Sequence, residues 1–207
     1  VCFNAALSAC GRAGEHEAAE ELIHEMGSER VEPNTVSYNS LLKALATAEL
    51  PAAAAQQLQQ MRSLRLELTT ISYNTVLDAF GRAGNAPAAE KLLQEMGANQ
   101  VPADVVSFNA ALKACAESAE EERSRADAIL SAMTARKVAP TLITWNTLLK
   151  QRAAWGDIAG AENLLEKDMP HGRVQPDLIS YNSALHAAAV AGDVAASERI
   201  WEKMASA

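Results

Sequence analysis

The chain has 207 residues, 49% hydrophobic but only 4% aromatic, with 26 acidic against 18 basic side chains and a formal net charge of −8. An Ala-rich apolar fraction suits closely stacked helices rather than sheets, and the acidic balance excludes a surface that is basic throughout, so any nucleic-acid contact has to be local. Cys2, Cys10 and Cys115 provide neither a disulfide framework nor a zinc knuckle, and no apolar run reaches the roughly 18 residues of a membrane span.

Taken in order, the chain repeats one short run: a β-branched residue, a small one, an aromatic and Asn. It reads Val1-Cys2-Phe3-Asn4, Val36-Ser37-Tyr38-Asn39, Ile71-Ser72-Tyr73-Asn74, Val106-Ser107-Phe108-Asn109, Ile143-Thr144-Trp145-Asn146 and Ile179-Ser180-Tyr181-Asn182. The Asn residues are 35, 35, 35, 37 and 36 apart, a period that marks a solenoid. With the Asn as slot five, the units are 1–34, 35–69, 70–104, 105–141, 142–177 and 178–207. Together they form a single array over 1–207. The chain enters the pattern at Val1 and leaves it inside a helical stretch, which reads as a segment of a longer protein.

Each unit reads as two helices. The first opens at the Ser or Thr of slot three, a good N-cap residue type. Ile71, Val76, Leu77 and Phe80 then follow at near-helical spacing. Gly14, Gly84, Gly156 and Gly192 close these helices, where a left-handed residue is least strained. Glu49 and Ala119 stand there in units two and four, which predicts different turns. The second helix carries Ala seven residues before Met in Ala19/Met26, Ala54/Met61, Ala89/Met96 and Ala126/Met133, and one residue further apart in Ala161/Met169. Ser197/Met204 completes the series, and a thioether at each seam between repeats is adaptable packing. Linkers containing Pro33, Pro102, Pro140 and Pro176 stop the second helices. The insertion of unit four, around 117–123, reads as a charged, solvated turn, and that of unit five as a π-bulge or a frayed last turn of helix. The slot-four aromatics read as core, since adjacent helical residues point about 100° apart and the Asn face lies elsewhere.

A helical hairpin of this period, with the run ending in aromatic-Asn, Ala-Gly at the turn, Ala and Met in the second helix and Pro-Asp or Pro-Asn at the end, resembles the pentatricopeptide repeat. The resemblance covers the whole chain. It implies an all-α fold, a right-handed α-solenoid whose first helices line the concave surface, and residence in a mitochondrion or chloroplast. It also implies single-stranded RNA as ligand, read one base per repeat by slot five and the closing residue of the repeat, with the slot-two aliphatic against the base. Carried over, the readers are Asn4 with Asn34, Asn39 with Thr69, Asn74 with Asp104, Asn109 with Thr141, Asn146 with Asp177, and Asn182. The base-packing residues are Val36, Ile71, Val106, Ile143 and Ile179. The resemblance makes this set pyrimidine-leaning, with U favoured at the Asn/Asp units.

The first helices hold six basic residues, Arg12, Lys43, Arg82, Lys113, Lys150 and Arg152, against Asp78 and Glu117, so the acid is concentrated on second helices and turns. Lys43, Lys113 and Lys150 follow the slot-five Asn by four residues on the same helical face, as does His186. With Arg12 and Arg82 the lysines are the candidate phosphate contacts. An Asn near a helix start also has a purely structural use, bonding the next repeat. No metal cluster, no Gly-rich phosphate cradle and no deaminase-type His/Cys pattern is present. The reading is therefore a non-enzymatic RNA-binding array acting in organellar RNA processing, stability or translation. It needs no cofactor, metal or small-molecule substrate. The alternative is a protein-interaction scaffold or accessory subunit of a large organellar complex.

Overall fold

The computed structural model describes residues 2–115 and 120–206. The chain divides into two compact units, Val1–Ala111 and Leu112–Ala207, the division falling within one helix. In the first unit α1 (Cys2–Ala13), α3 (Thr35–Thr47) and α5 (Thr70–Arg82) alternate with α2 (His16–Ser28), α4 (Pro51–Ser63) and α6 (Ala86–Ala98), followed by the greater part of α7 (Val105–Ala114). The second contains α8 (Glu120–Ala135), α9 (Leu142–Ala154), α10 (Ile158–Asn163), a π-helical turn (Leu164–Asp168), α11 (Met169–His171), α12 (Leu178–Ala191) and α13 (Val194–Ser206). No strand occurs among the described residues.

The first helices begin at the predicted unit boundaries, but their caps lie three residues upstream of where the sequence suggests. The cap is the closing residue of the preceding unit: Asn34, Thr69 and Asp177 each hold extended backbone and accept from the slot-three N–H. The slot-three hydroxyl answers by accepting from the cap's own N–H, at 3.2 Å in Asn34/Ser37 and Thr69/Ser72, and 3.1 Å in Asp104/Ser107 and Asp177/Ser180. Serine at the third helical position can do this; as a cap itself it would waste a full helical turn. A reciprocal box of this kind contributes roughly 1 kcal/mol. Among second helices α4 starts on Pro51 and α6 has Pro87 at its second position, while Asn85, Asp157 and Asp193, just before α6, α10 and α13, accept from Ala88, Gly160 and Ala196 N–H.

In the first unit α1 packs on α3 and α3 on α5, with α2 and α4 filling the outer layer; in the second, α12 packs on α9, α10 and α13. The seams are filled as the pattern predicts. Ala19/Met26, Ala54/Met61 and Ala89/Met96, and in the other unit Ala126/Met133 and Ala161/Met169, are all buried, while Met204 is half-buried. Tyr38, Tyr73, Phe108 and Trp145 are core, and Phe3 and Tyr181 half-buried. Burial pushes the Tyr73 phenol up, against the hydrogen bond that Asn99 Nδ2 donates to its oxygen at 2.8 Å. Cys115 is buried, whereas Cys10 is only partly covered.

The extra residue of unit five is absorbed by the π-helical turn, closed by Met169 N–H on the Leu164 carbonyl. The insertion of unit four is not simply a solvated turn: its 120–123 portion is the first turn of the 16-residue α8, and Arg123 Nη2 reaches Asp157 Oδ2 at 3.0 Å. Positions 116–119, Ala119 among them, lie outside the described residues. The turn expected to differ at Glu49 does not. Glu49 takes φ 59°, the same left-handed conformation as Gly14, Gly84, Gly156 and Gly192.

Left-handed non-glycine residues also close five second helices: Arg30, Arg65, Gln100, Lys137 and Arg173, with φ between 57° and 59°. After each, the next N–H bonds back to the seam methionine's carbonyl, from Val31 to Met26 (2.8 Å) through Val174 to Met169 (2.9 Å). That six-to-one bond is what holds the strained residue in place. Replacing Lys137 by Gly should therefore raise unfolding free energy by about 0.5–1 kcal/mol in urea titrations. Gly14→Val should lower it by about 1 kcal/mol or more, because φ is +78° and the new Cβ would lie 3.2 Å from Thr47 Cγ2.

Candidate functional site

Helical geometry sorts the recurring run onto different faces. Slot four points into the core, and slot two points out: Val36, Ile71 and Val106 in the first unit, and Ile143 and Ile179 in the second, are 52–68% exposed. Single exposed aliphatics are ordinary, but here the same slot is left uncovered in five successive first helices. The slot-five Asn lies at the edge of this surface, half-buried in Asn4, Asn39, Asn74, Asn109 and Asn146 and exposed in Asn182.

Each of four such Asn residues is held by the next repeat. Ser37 Oγ donates to Asn4 Oδ1 at 2.8 Å, Ser72 to Asn39 at 2.8 Å, Ser107 to Asn74 at 2.6 Å and Ser180 to Asn146 at 2.7 Å. All four serines have no exposed surface. The structural use expected for slot five is thus real, but it engages the oxygen alone, and its partner is a side-chain hydroxyl rather than backbone. The Nδ2 end is left for something else. These serines belong to the candidate site, and sequence reasoning passed over them. Their recurrence is visible, yet it reads as helix capping.

The predicted reader pairs meet in two ways. Asn74 Nδ2 donates to Asp104 Oδ1 at 3.1 Å, and Asn146 Nδ2 to Asp177 Oδ1 at 3.2 Å. Asn4 with Asn34, and Asn39 with Thr69, converge on a shared serine: Ser37 lies 3.3 Å from Asn34 Oδ1, and Ser72 3.2 Å from Thr69 Oγ1. Asn109 belongs to the first unit and Thr141 to the second, so no pairing is assigned to them. Asn182 lines an open cavity of about 430 Å³ with Ile179, Ser183, His186, Ala153, Ala154 and Lys150.

The candidate phosphate contacts divide. Lys43, Lys113 and Lys150 are exposed on the Asn face. Arg82 Nη2 is 2.6 Å from Asp78 Oδ2, which offsets its charge, and Arg12 donates to Ser8 Oγ at 3.1 Å. Arg152 is structural: it is buried, bonds Asp127 at 2.6 Å and Asp157 at 3.4 Å, and lies 5.6 Å from the Trp155 ring centre. The surface is consequently less basic than a residue count suggests.

Asp104 and Asp177 carry the clearest electrostatic signature. Burial alone would raise each carboxyl, but the N–H and hydroxyl of the slot-three serine and the Asn amide together outweigh it. Both sit below the ordinary carboxylate value. Among the described residues no group of His, Cys, Asp and Glu could hold a metal ion, and no helix is long and apolar enough to cross a membrane.

Comparison with known proteins agrees with this architecture. The model of the PPR repeat family matches residues 1–47 and 68–117, that of the pentatricopeptide repeat domain 104–152 and 164–206, and that of the PPR repeat 36–66. Among solved structures, the pentatricopeptide repeat protein PPR10 in complex with an 18-nt psaJ RNA element is similar over 99% of this chain, at 23% identity and a TM-score of 0.66. The chain spans 28% of that protein's length. PPR10 from maize matches at a TM-score of 0.56 and 23% identity, over 99% of this chain and 33% of its own. The PPR domain of Arabidopsis thaliana protein-only RNase P 1, in complex with tRNA, matches at 0.64 and 15% identity, over 79% of this chain and 84% of that domain. At these identities the likeness establishes the fold, an α-solenoid of helical hairpins. The search of curated proteins finds no match.

A carboxyl whose folded-state pKa is depressed stabilises the fold above its unfolded value, near 3.9, and that contribution is lost as pH falls through the lower folded value. Acid unfolding of the Asp104→Asn and Asp177→Asn variants, followed by circular dichroism, should therefore show a shallower loss of stability below about pH 4 than the parent. Identical acid limbs would contradict the assigned network.

Proposed function

The chain belongs to the pentatricopeptide repeat family, and from that premise we propose that it binds single-stranded RNA along its first helices, one base per repeat and with a pyrimidine preference. The observation that carries the proposal is the pairing, in successive repeats, of an exposed β-branched residue with an Asn whose nitrogen faces outward. A flat aliphatic surface covers the face of an unstacked base, and a nearby amide reaches its edge. Where Asp closes the repeat, its Oδ1 is occupied by Ser and Asn donors, which leaves Oδ2 as an acceptor beside the Asn donor. That donor–acceptor pair complements a uracil edge, carbonyl next to N3–H. Cytosine, with a bare N3, fits it worse. The similarity to PPR10 with its RNA element and to an RNase P domain with tRNA supports RNA as the ligand class.

The mechanism is passive: the repeats hold RNA extended, with Lys43 and Lys150 near phosphate, and no residue performs chemistry. By family, the setting is RNA processing, stability or translation in a mitochondrion or chloroplast. A second reading, a protein-interaction scaffold, is favoured by the apolar patch on α12 and α13, where Val190, Val194 and Trp201 are 52%, 71% and 60% exposed. Under that reading Trp201→Glu would release a protein partner, whereas RNA binding would be absent or unaffected by slot-five substitutions.

In fluorescence anisotropy, oligo(U) should bind several-fold more tightly than oligo(A), with log affinity falling by roughly 0.7 per phosphate contact for each tenfold rise in salt. Asp104→Asn replaces the outward acceptor by an amide and should move preference at a single base from U towards C. Equal binding of both homopolymers, or none, would sink the proposal.

A further inference from the structure

We infer that Ser37 and Ser72 are specificity-determining positioning residues. Each locks the carboxamide of the Asn one repeat earlier with its nitrogen facing the RNA. This rests on the RNA-binding reading but concerns a residue outside the reader pair and in a different repeat.

The argument is one of hydrogen counting. A serine hydroxyl has one proton and two lone pairs. In Ser72 the backbone N–H of Thr69 donates to the oxygen at 3.2 Å, and the proton goes to Asn39 Oδ1 at 2.8 Å. The serine has no exposed surface, so an amide turned the other way would leave a buried hydroxyl proton competing for a weaker partner at a cost. Asn39 is therefore a donor towards solvent, not a two-faced amide. Ser37 does the same for Asn4, accepting from Asn34 N–H at 3.2 Å and donating to Asn4 Oδ1 at 2.8 Å.

The four sites are not equivalent. Asn74 and Asn146 have a second lock, because Asp104 Oδ1 and Asp177 Oδ1 accept from their Nδ2 at 3.1 and 3.2 Å. A carboxylate beside the amide forbids the reversed orientation on its own. Among the hydrogen bonds described, Asn4 and Asn39 are held by the serine alone. Removing the hydroxyl should thus free the amide of Asn39 but not that of Asn74, although Ser72 and Ser107 belong to the same kind of capping box. General loss of helix capping would affect both alike.

The test uses the whole chain and six-nucleotide oligouridylates in which the second or the third base is varied through A, C, G and U. Ser72→Ala should reduce the ratio of best to worst affinity at the second base by roughly fivefold, the equivalent of one lost hydrogen bond. Ser107→Ala should change that at the third base by less than about twofold. Ser72→Thr, which keeps a hydroxyl at this position, should retain parental discrimination. Ser72→Cys, with a weaker donor, should shift discrimination in the same direction as alanine and serves if the alanine variant does not fold. Equal losses in Ser72→Ala and Ser107→Ala, or none in Ser72→Ala, would overturn the inference. A parent that binds no RNA would instead overturn the function proposed above. In that case the side-chain amide NMR signals of the RNA-free protein decide: those of Asn39 should broaden or shift in Ser72→Ala, those of Asn74 should persist in Ser107→Ala, and an unchanged Asn39 signal counts against the lock.

Discussion

A buried hydroxyl with two obligations ties consecutive repeats together. At slot three of α3, α5, α7 and α12 it must accept from the N–H of the residue that caps that helix. It must also give its proton to the Asn of the helix before. Neither obligation can be met by water, since Ser37, Ser72, Ser107 and Ser180 are fully covered. An unsatisfied partner in such a place costs about 1–3 kcal/mol, so the geometry of the cap and the placement of the preceding helix are set together. The three-residue spacing of cap and serine follows from this. One residue too many between cap and serine would break both bonds, and the extra residues of units four and five accordingly fall outside that stretch.

The same constraint divides each first helix by function. With slot three committed to the join, slot four turns into the core and carries the aromatic. Slot two turns out and carries an uncovered aliphatic. Slot five is left at the border, and in Asn4, Asn39, Asn74 and Asn146 its oxygen is held by the serine of the next repeat. The Asn is both a structural residue and a candidate reader, and the two uses do not compete because they engage opposite ends of one amide. Where an Asp closes the repeat, its carboxylate caps a helix and steadies the amide; burial opposes its charge, but the hydrogen bonds it accepts outweigh that and hold its pKa below the ordinary value.

Charge is distributed more sparingly than composition implies. Arg82 is balanced by Asp78, and Arg152 is buried among Asp127, Asp157 and Trp155, where it joins α9 to α8 and the start of α10. Lysine remains the main exposed cation on the Asn face. A ligand held there is positioned mainly by short-range contacts, with electrostatic attraction as a modest addition that salt screens.

Sequence alone determined the helical class, where the first helices start, the buried Ala/Met seams, the inward aromatics and the outward aliphatics, while for the extra residue before Met169 it left a π-bulge and a frayed turn both open. These depend on periodicity and side-chain volume, which are written in the order of residues. The family resemblance also implied Asn74 with Asp104 and Asn146 with Asp177 as pairs. Only the tertiary structure decided that Asn34, Thr69 and Asp177 are the helix caps, that Glu49 and five residues like Lys137 tolerate a left-handed backbone, and that Arg82 and Arg152 are already engaged. It alone showed that the oxygens of Asn4, Asn39, Asn74 and Asn146 are the ends held by the next repeat's serine. Those outcomes depend on which donor meets which acceptor across some 33 residues of chain, as Ser72 meets Asn39, and a proton's direction between two buried atoms has no signature in residue spacing.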